Sequence, residues 1–274
     1  MKCAWQELIR ILPAWLGSEA CSYKETLQEI RLRLGQSVEL ITQRGSYWLH
    51  REATEEDLNF CINTASRYSP WAAQTMAQGY ITAPGGHRIG ICGEAVMHSG
   101  TMTGIRSPES LNIRIARDFP GIGAYASNLK GSTLLLGPPG SGKTTLLRDM
   151  IRTISQQETV SVVDERGELF PTGFKRGKRM DVMTGCTKPV GIKTVLKTMG
   201  PDSIAVDEIT SEADCSALIH SAWCGVRLLA TAHASSVADL RIRSIYKPLL
   251  ETKLFSNVLV LSRDKSWRLE RMDI

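Results

Sequence analysis

Residues 132–151 read STLLLGPPGSGKTTLLRDMI, and the fold follows from this stretch. The apolar run 134–136 predicts a buried strand, residues 137–144 (GPPGSGKT) a glycine-rich turn, and Leu146, Leu147, Met150 and Ile151 recur at helical spacing. Together they form G-x-x-x-x-G-K-[ST] in the strand, turn and helix setting that the motif requires. Glycines let successive backbone N–H groups converge on one anion, and the positive end of the following helix faces the same point. The candidate ATP-binding residues are therefore Gly137, Pro138, Pro139, Gly140, Ser141, Gly142, Lys143, Thr144 and Thr145. Lys143 is expected to reach the β- and γ-phosphates, and the Thr144 hydroxyl to meet Mg²⁺.

Downstream, short apolar runs end in charge. Val160, Val162 and Val163 predict a strand closed by Asp164 and Glu165, with Glu168 three residues on. Ile204 to Val206 predict another, closed by Asp207 and Glu208, and GVRLLATAHA a third that finishes at Thr231 and His233. Helical patterns separate them. One is VGIKTVLKTM; another follows Ser211 with Ala213, Ala217, Leu218 and Cys224 on its expected inward side. Residues 171–190, rich in Lys175, Arg176, Lys178, Arg179 and Lys188, are expected to be a mobile basic loop, and NVLVLSRD with SWRLERMD a final strand pair. This alternation predicts an α/β layer sandwich, a RecA-like P-loop NTPase core over 132–274, with ligands at the C-terminal strand ends.

Phosphoryl transfer to water asks for neutralised phosphates, a held metal ion and an oriented water. Asp207 with Thr144 fits the metal role, and Glu208 is the choice for polarising the water. Glu165 and Glu168 are candidates for a second acidic group or for ordinary ion pairs. His233 is either a γ-phosphate contact or a satisfied structural histidine. A cation from another domain or subunit often completes such a site, and Arg88, Arg106, Arg114 and Arg117 are the candidates; spacing does not choose among them.

The first part of the chain, 1–120, reads as a smaller α+β domain, joined through a connector at 121–131. Trp5, Leu8, Ile9 and Leu12 share a helical face that ends at Pro13. Ile30, Leu32 and Leu34 alternate with charge as in a half-buried strand, and SVELITQRG and SYWLH flank a turn at Gly45. A helix is expected to open at Thr54 and to continue through 71–79; after a Gly85-Gly86 turn, alternation returns and runs through Leu111, Ile113 and Ile115.

Composition sets limits. A chain of 274 residues holds two modest domains, and a net charge of +5 suits nucleic acid, anionic lipid or an acidic partner without choosing. Seven cysteines with no C-x-x-C pair point to reduced thiols rather than a disulfide framework or a zinc site. No stretch approaches the ~20 apolar residues that span a bilayer, and no export signal is present, so a cytoplasmic protein is expected, its membrane contact peripheral or through a partner.

The motifs carry a resemblance. VVDERGEL, KTVLKTMGPDSIAVDEI and GVRLLATAHA resemble the acidic box, Walker-B segment and histidine box of the secretion ATPases of type II secretion and type IV pili. From EIRLRLGQ through GGHRIGICGEAV and SLNIRIAR to VDEI, the chain is similar to the stage III sporulation protein AA family of endospore-forming bacteria. That resemblance implies a hexameric, cytoplasmic, Mg²⁺-dependent ATPase, peripheral to the mother-cell membrane. It would energise a channel complex of small sporulation membrane proteins between mother cell and forespore. It also implies Glu208 as the Walker-B glutamate, Glu165 and Glu168 as acidic-box residues, and His233 as the histidine-box residue. Two departures stand out: Asp207 replaces a glycine common in the larger secretion ATPases, and their four-cysteine zinc segment is lacking. The alternatives are a nucleic-acid-dependent P-loop ATPase and a nucleotide-gated scaffold with little turnover. The basic loop has no aromatic residue beyond Phe174, which speaks against a stacking platform for single strands; no nucleic acid is expected.

Overall fold

Apolar residues at every second position make strands with one wet and one dry face. In the computed structural model, which describes residues 2–66, 76, 77, 79–171 and 174–271, the first half of the chain uses them to build a sheet. Its strands are β1 (Lys2–Cys3), β2 (Leu27–Arg33), β3 (Ser37–Thr42), β4 (Gly45–Glu52), β5 (Tyr80–Thr82), β6 (Arg88–His98), β7 (Thr101–Arg114) and β8 (Arg117–Asp118). Six form an antiparallel sheet in the order β4-β3-β2-β7-β6-β5, and β1 pairs with β8. Leu27, Ile30, Leu32, Val38, Ile89 and Ile113 are buried with Trp5, Leu8 and Leu58 from the helices. Leu34 departs from the expected alternation: β2 ends at Arg33, and the leucine is 45% exposed.

The first helix, Trp5–Arg10, closes at Ile11, short of the expected Pro13, which instead caps a second, Ala14–Cys21. The helix Glu55–Ser66 opens on reciprocal bonds, with Asp57 N donating to Thr54 Oγ1 (3.2 Å) and Thr54 N to Asp57 Oδ2 (3.1 Å). Trp15 Nε1 donates to the other carboxylate oxygen at 2.8 Å, tying the two helices together. The helix expected through 71–79 falls largely outside the described residues.

The second half is parallel. Its strands are β9 (Thr133–Leu136), β10 (Val160–Asp164), β11 (Met180–Thr184), β12 (Ser203–Val206), β13 (Arg227–Ala232), β14 (Asn257–Leu261) and β15 (Trp267–Glu270). They lie in the order β11-β10-β12-β13-β9-β14-β15, parallel except for β15. Continuous apolar strands require cover on both faces. Leu134, Leu136, Ile204, Val206 and Leu228 share one core with Ile192 and Leu218 of the helices Lys188–Thr198 and Glu212–Trp223. Leu135, Val162, Ala205 and Leu229 share the other with Leu147 and Met150 of the helix Lys143–Ile154. Full burial of one such leucine contributes about 1.5–3 kcal/mol, so the central strands resist any register in which a face is left wet.

The two halves are separate compact units, Met1–Asp118 with Pro171–Phe174, and Phe119–Phe170 with Lys175–Ile274. Two further expectations change. The basic stretch is not a loop throughout: residues 180–184 pair with β10, and Lys188 opens a helix. Met180, Val182 and Met183 neither alternate cleanly nor supply enough apolar surface to announce a strand, and pairing with β10 overrides that weak signal. In the helix Glu212–Trp223 the inward residues are Cys215, Leu218 and Ile219, whereas Ala213 and Cys224 are exposed. Within residues 121–131, Gly121 N and Gly123 N donate to Asp149 Oδ2 at 2.9 and 2.7 Å. All seven cysteines are free, and among the described residues no helix is long and apolar enough to cross a membrane.

His87, in the first unit, is fully buried. Its Nδ1 accepts from Ala116 N (3.2 Å), so Nε2 carries the proton and donates to Ala4 O (3.1 Å). Burial holds the imidazole below its ordinary value of 6.5. The unfolded chain therefore takes up this proton first, and stability falls as pH drops below that value until the folded group also protonates. Melting curves between pH 7.5 and 5 are expected to show this loss, and His87→Gln to show a shallower dependence over the same interval.

Candidate active site

Strand register assembles the site. Ala232 pairs with Leu136, so the residue after each strand brings His233 beside Gly137. Val206 pairs with Ala230 on one side and Val163 on the other, so Asp207 lies next to Thr231 and next to Asp164. The glycine-rich turn therefore meets the acidic strand end across β13, and β13 contributes the residues between them.

The turn is shaped by its glycines. Gly140 and Gly142 have φ of +74° and +96°, and a Cβ on Gly137 would lie 2.6 Å from Ser141 Oγ and 2.7 Å from Leu261 O. Lys143 is 6% exposed; its Nζ donates to Gly137 O (2.8 Å) and Pro138 O (3.1 Å) and lies 3.2 Å from His233 Nδ1. Burial lowers the lysine below its ordinary 10.5, against the charges of Asp207 and Glu208, which pull it up. Lys265, in the turn between β14 and β15, donates to Gly140 O.

Asp207 joins the elements. Oδ2 accepts from Thr144 Oγ1 (2.8 Å), and Oδ1 accepts from Thr231 Oγ1 (2.6 Å) and Glu208 N (3.1 Å). Glu208 N also donates to Thr231 Oγ1 at 2.8 Å. These bonds hold Glu208 at φ +45°, a left-handed conformation that costs a non-glycine residue roughly 1–3 kcal/mol. Its carboxylate meets His233 Nε2 at 3.2 Å and Arg166 Nη1 at 3.9 Å. His233 thus bridges the two: Nδ1 faces Lys143 Nζ and Gly137 O (3.4 Å), and Nε2 faces the Glu208 carboxylate.

The acidic segment after β10 folds around Asp164, whose carboxylate accepts from the N–H groups of Glu168 (2.8 Å), Leu169 (2.9 Å) and Phe170 (3.0 Å). Burial, with a smaller push from Asp207, raises Asp164 to about 6 despite these three donors. Arg148 of the helix Lys143–Ile154 donates to the carbonyls of Leu169 and Glu168 and fastens the segment. Glu165 Oε2 accepts from Lys188 Nζ at 2.6 Å. Glu165, Glu168, Asp207 and Glu208 line one small cavity with Asp164, Arg166, Lys188 and Thr210.

Sequence reasoning named the acidic strand ends, the turn and His233, and the structure brings these together. Thr231, Lys188 and Lys265 went unnamed as site residues, and Asp164 was noted only as a strand end. Thr231 carried one signal, a hydroxyl at the polar end of an otherwise apolar run. The four arginines belong to the first unit, where each has a contact: Arg88 over the Tyr80 ring (4.2 Å), Arg106 with Glu94, Arg114 with Glu29 (3.6 Å), and Arg117 with Leu27 O (2.7 Å).

The second unit has the RecA-like fold of P-loop ATPases, preceded in the chain by a β-rich unit. Over 94% and 96% of its length, respectively, the chain superposes on the pilus retraction motor PilT with bound ADP and on the ATPase DotB of Legionella pneumophila. The TM-scores are 0.62 and 0.60, and the matches cover 82% and 80% of those chains. Identities are 15% and 18%, so these likenesses establish the fold. The chain belongs to the family of sporulation stage III protein AA, whose model matches residues 6–268. It is 34% identical to stage III sporulation protein AA of Bacillus subtilis (strain 168), over 94% of this chain and 91% of that protein.

Thr231→Val keeps the shape of the side chain and removes the oxygen shared by Asp207 and Glu208. Loss of about 1.5–3 kcal/mol is expected from the missing hydrogen bond to the half-buried Asp207 carboxylate, read as a lower midpoint in urea unfolding.

Proposed function

We propose that this chain is a sporulation ATPase motor that binds ATP with Mg²⁺ on residues 137–145 and hydrolyses it. The observation that carries the reading is the shared Asp207 carboxylate, which couples the Thr144 hydroxyl beside the phosphate loop to the backbone of Glu208. Family membership supports the sporulation setting, and the bound ADP of the pilus motor is consistent with a nucleotide on this fold.

The residues suit the ligands. Ser141 Oγ is buried without a hydrogen-bond partner, and a Cβ on Gly140 would meet open space, so the turn holds an unused hydroxyl inside and has room outside Gly140. Thr144 and Asp207 offer hard oxygen donors, which suit Mg²⁺ shared with phosphate and water. Among the described residues no group of three or more His, Cys, Asp or Glu side chains could enclose a metal, and Mg²⁺ sites commonly take one or two carboxylates plus phosphates. Bound there, Mg²⁺ would neutralise charge on the β- and γ-phosphates.

The protein's own groups divide the remaining work. Lys143 and the N–H groups of the turn bind and orient the phosphates. Glu208 takes up the proton as water attacks the γ-phosphorus and the bond to the β–γ bridging oxygen breaks, releasing ADP and inorganic phosphate. His233 Nε2–H fixes the Glu208 carboxylate and links it to Lys143, so loss of the γ-phosphate is felt at the strand ends. Glu165 and Glu168 add acidic character beside Glu208. One of Arg88, Arg106, Arg114 and Arg117 completes the site in a homo-oligomer, a hexamer, which works against small membrane proteins of the sporulation channel complex from the cytoplasmic side of the mother-cell membrane.

Phosphate release measured against protein concentration tests this. Turnover per subunit is expected to rise with assembly, to fall by about 10²–10⁴-fold in Glu208→Gln, and to vanish in Lys143→Ala. Wild-type turnover that is flat, negligible and equal to that of Lys143→Ala overturns the enzyme and leaves a nucleotide-gated scaffold. Stimulation by DNA that fades with salt would turn the reading to a nucleic-acid-dependent ATPase. Mass measurement with a non-hydrolysable ATP analogue, followed by capture of partners from membranes, checks the oligomer and its target.

A further inference from the structure

Lys188 has no part in the reaction outlined above, yet its position demands a reason. It is 6% exposed and opens the helix Lys188–Thr198, and a helix N-terminus disfavours positive charge. A buried lysine there requires carboxylates. Two are present: Nζ donates to Glu165 Oε2 at 2.6 Å and lies 3.7 Å from Asp214 Oδ2.

Each carboxylate leads to a different arm of the site. Glu165 follows Asp164 at the end of β10. Asp214, 4% exposed, closes the capping box of the helix Glu212–Trp223. Its Oδ2 accepts from Thr210 N (2.9 Å), Thr210 Oγ1 (3.2 Å) and Ser211 N (3.1 Å), and its own N–H goes to Ser211 Oγ (3.1 Å). Thr210 stands two residues after Glu208 and lines the same small cavity as Glu165 and Lys188.

We propose that Lys188 is a positioning residue for ATP hydrolysis, clamping the acidic segment after β10 to the turn Thr210–Asp214 and so fixing the chain that carries Glu208. The inference rests on the ATPase reading above. Glu208 needs such support. Its left-handed backbone persists only where neighbours over-determine it, and Thr231 and Asp207 pin its N–H while Ile209 N donates to Thr231 O at 2.8 Å. Beyond Ile209 the constraint passes to Asp214, and through Asp214 to Lys188. The lysine and Asp214 are buried and Glu165 is partly exposed; burying such charges often adds little to stability, so what the pairing supplies is a defined arrangement of two segments. Without the ammonium, the buried Asp214 carboxylate and the exposed Glu165 carboxylate lose the cation that joins them, and the segments separate.

Steady-state hydrolysis and amide hydrogen exchange on the full chain test the clamp. In Lys188→Met, kcat is expected to fall by about a hundredfold while KM for ATP stays within about threefold, as for a group misplaced by around an ångström. Exchange is expected to quicken in peptides covering 165–169 and 208–214. Asp214→Asn keeps an oxygen for the cap while weakening the clamp, and serves if the first variant folds poorly; kcat is expected to fall about tenfold with the same exchange signature. Unchanged kcat per folded molecule in both variants, a loss confined to KM, or a lower melting temperature with unaltered kcat each overturns the proposal. If wild type itself shows no turnover, the ATPase reading fails on its own; faster exchange at 208–214 in Lys188→Met then still supports the clamp, and unchanged exchange rejects it.

Discussion

The carboxylate of Asp207 is shared by three elements, and the geometry around it depends on that sharing. Thr144 reaches it from the first turn of the helix after the glycine-rich loop, Thr231 from the end of β13, and Glu208 from its own backbone. A half-buried carboxylate is tolerated when donors surround it, and here the donors are also the groups whose positions matter. Because β13 lies between β9 and β12, a hydroxyl on β13 is what lets one carboxylate speak to both neighbours.

The same sheet spaces the charges. Lys143 and His233 stand on one side of Asp207, and Asp164, Glu165 and Lys188 on the other. Asp164 shows how finely these are balanced: three backbone donors favour its charged form, yet burial and the neighbouring Asp207 raise it to about 6. The acidic segment is thus built from backbone bonds to a reluctant anion and is secured by Arg148 from the helix Lys143–Ile154. Glu165 is spent on Lys188 in this arrangement, whereas Glu208 keeps a partly exposed carboxylate bounded by His233 and Arg166.

Much of this was legible because local chemistry and tertiary position agree. GPPGSGKT announces itself through glycines that only one kind of turn needs, and an acidic pair ending an apolar run falls where a parallel sheet collects ligands. Less legible was anything whose role comes from a partner distant in sequence. Thr231 is one small hydroxyl in LLATAHA, and its importance arises from Asp207, 24 residues earlier. Lys188 looked like one more cation in a basic stretch, because its carboxylates lie 23 residues before it and on a helix after it. Residues 180–184 hide their strand for the same reason: edge pairing with β10, not their own propensity, makes them extended.

By itself, the sequence determined the order of strands and helices apart from the edge strand at 180–184, the glycine-rich turn, and the acidic, hydroxyl and histidine side chains at the strand ends. Periodicity and turn chemistry are local, and they survive without knowledge of the fold. Only the tertiary structure decided which strands are neighbours, and hence that Asp207 takes Thr144 and Thr231, that His233 lies between Lys143 and Glu208, and that Glu165 pairs with Lys188. The reason is that sheet order β10-β12-β13-β9 differs from chain order, and hydrogen-bond geometry is satisfied only after the register has brought those ends within about 3 Å.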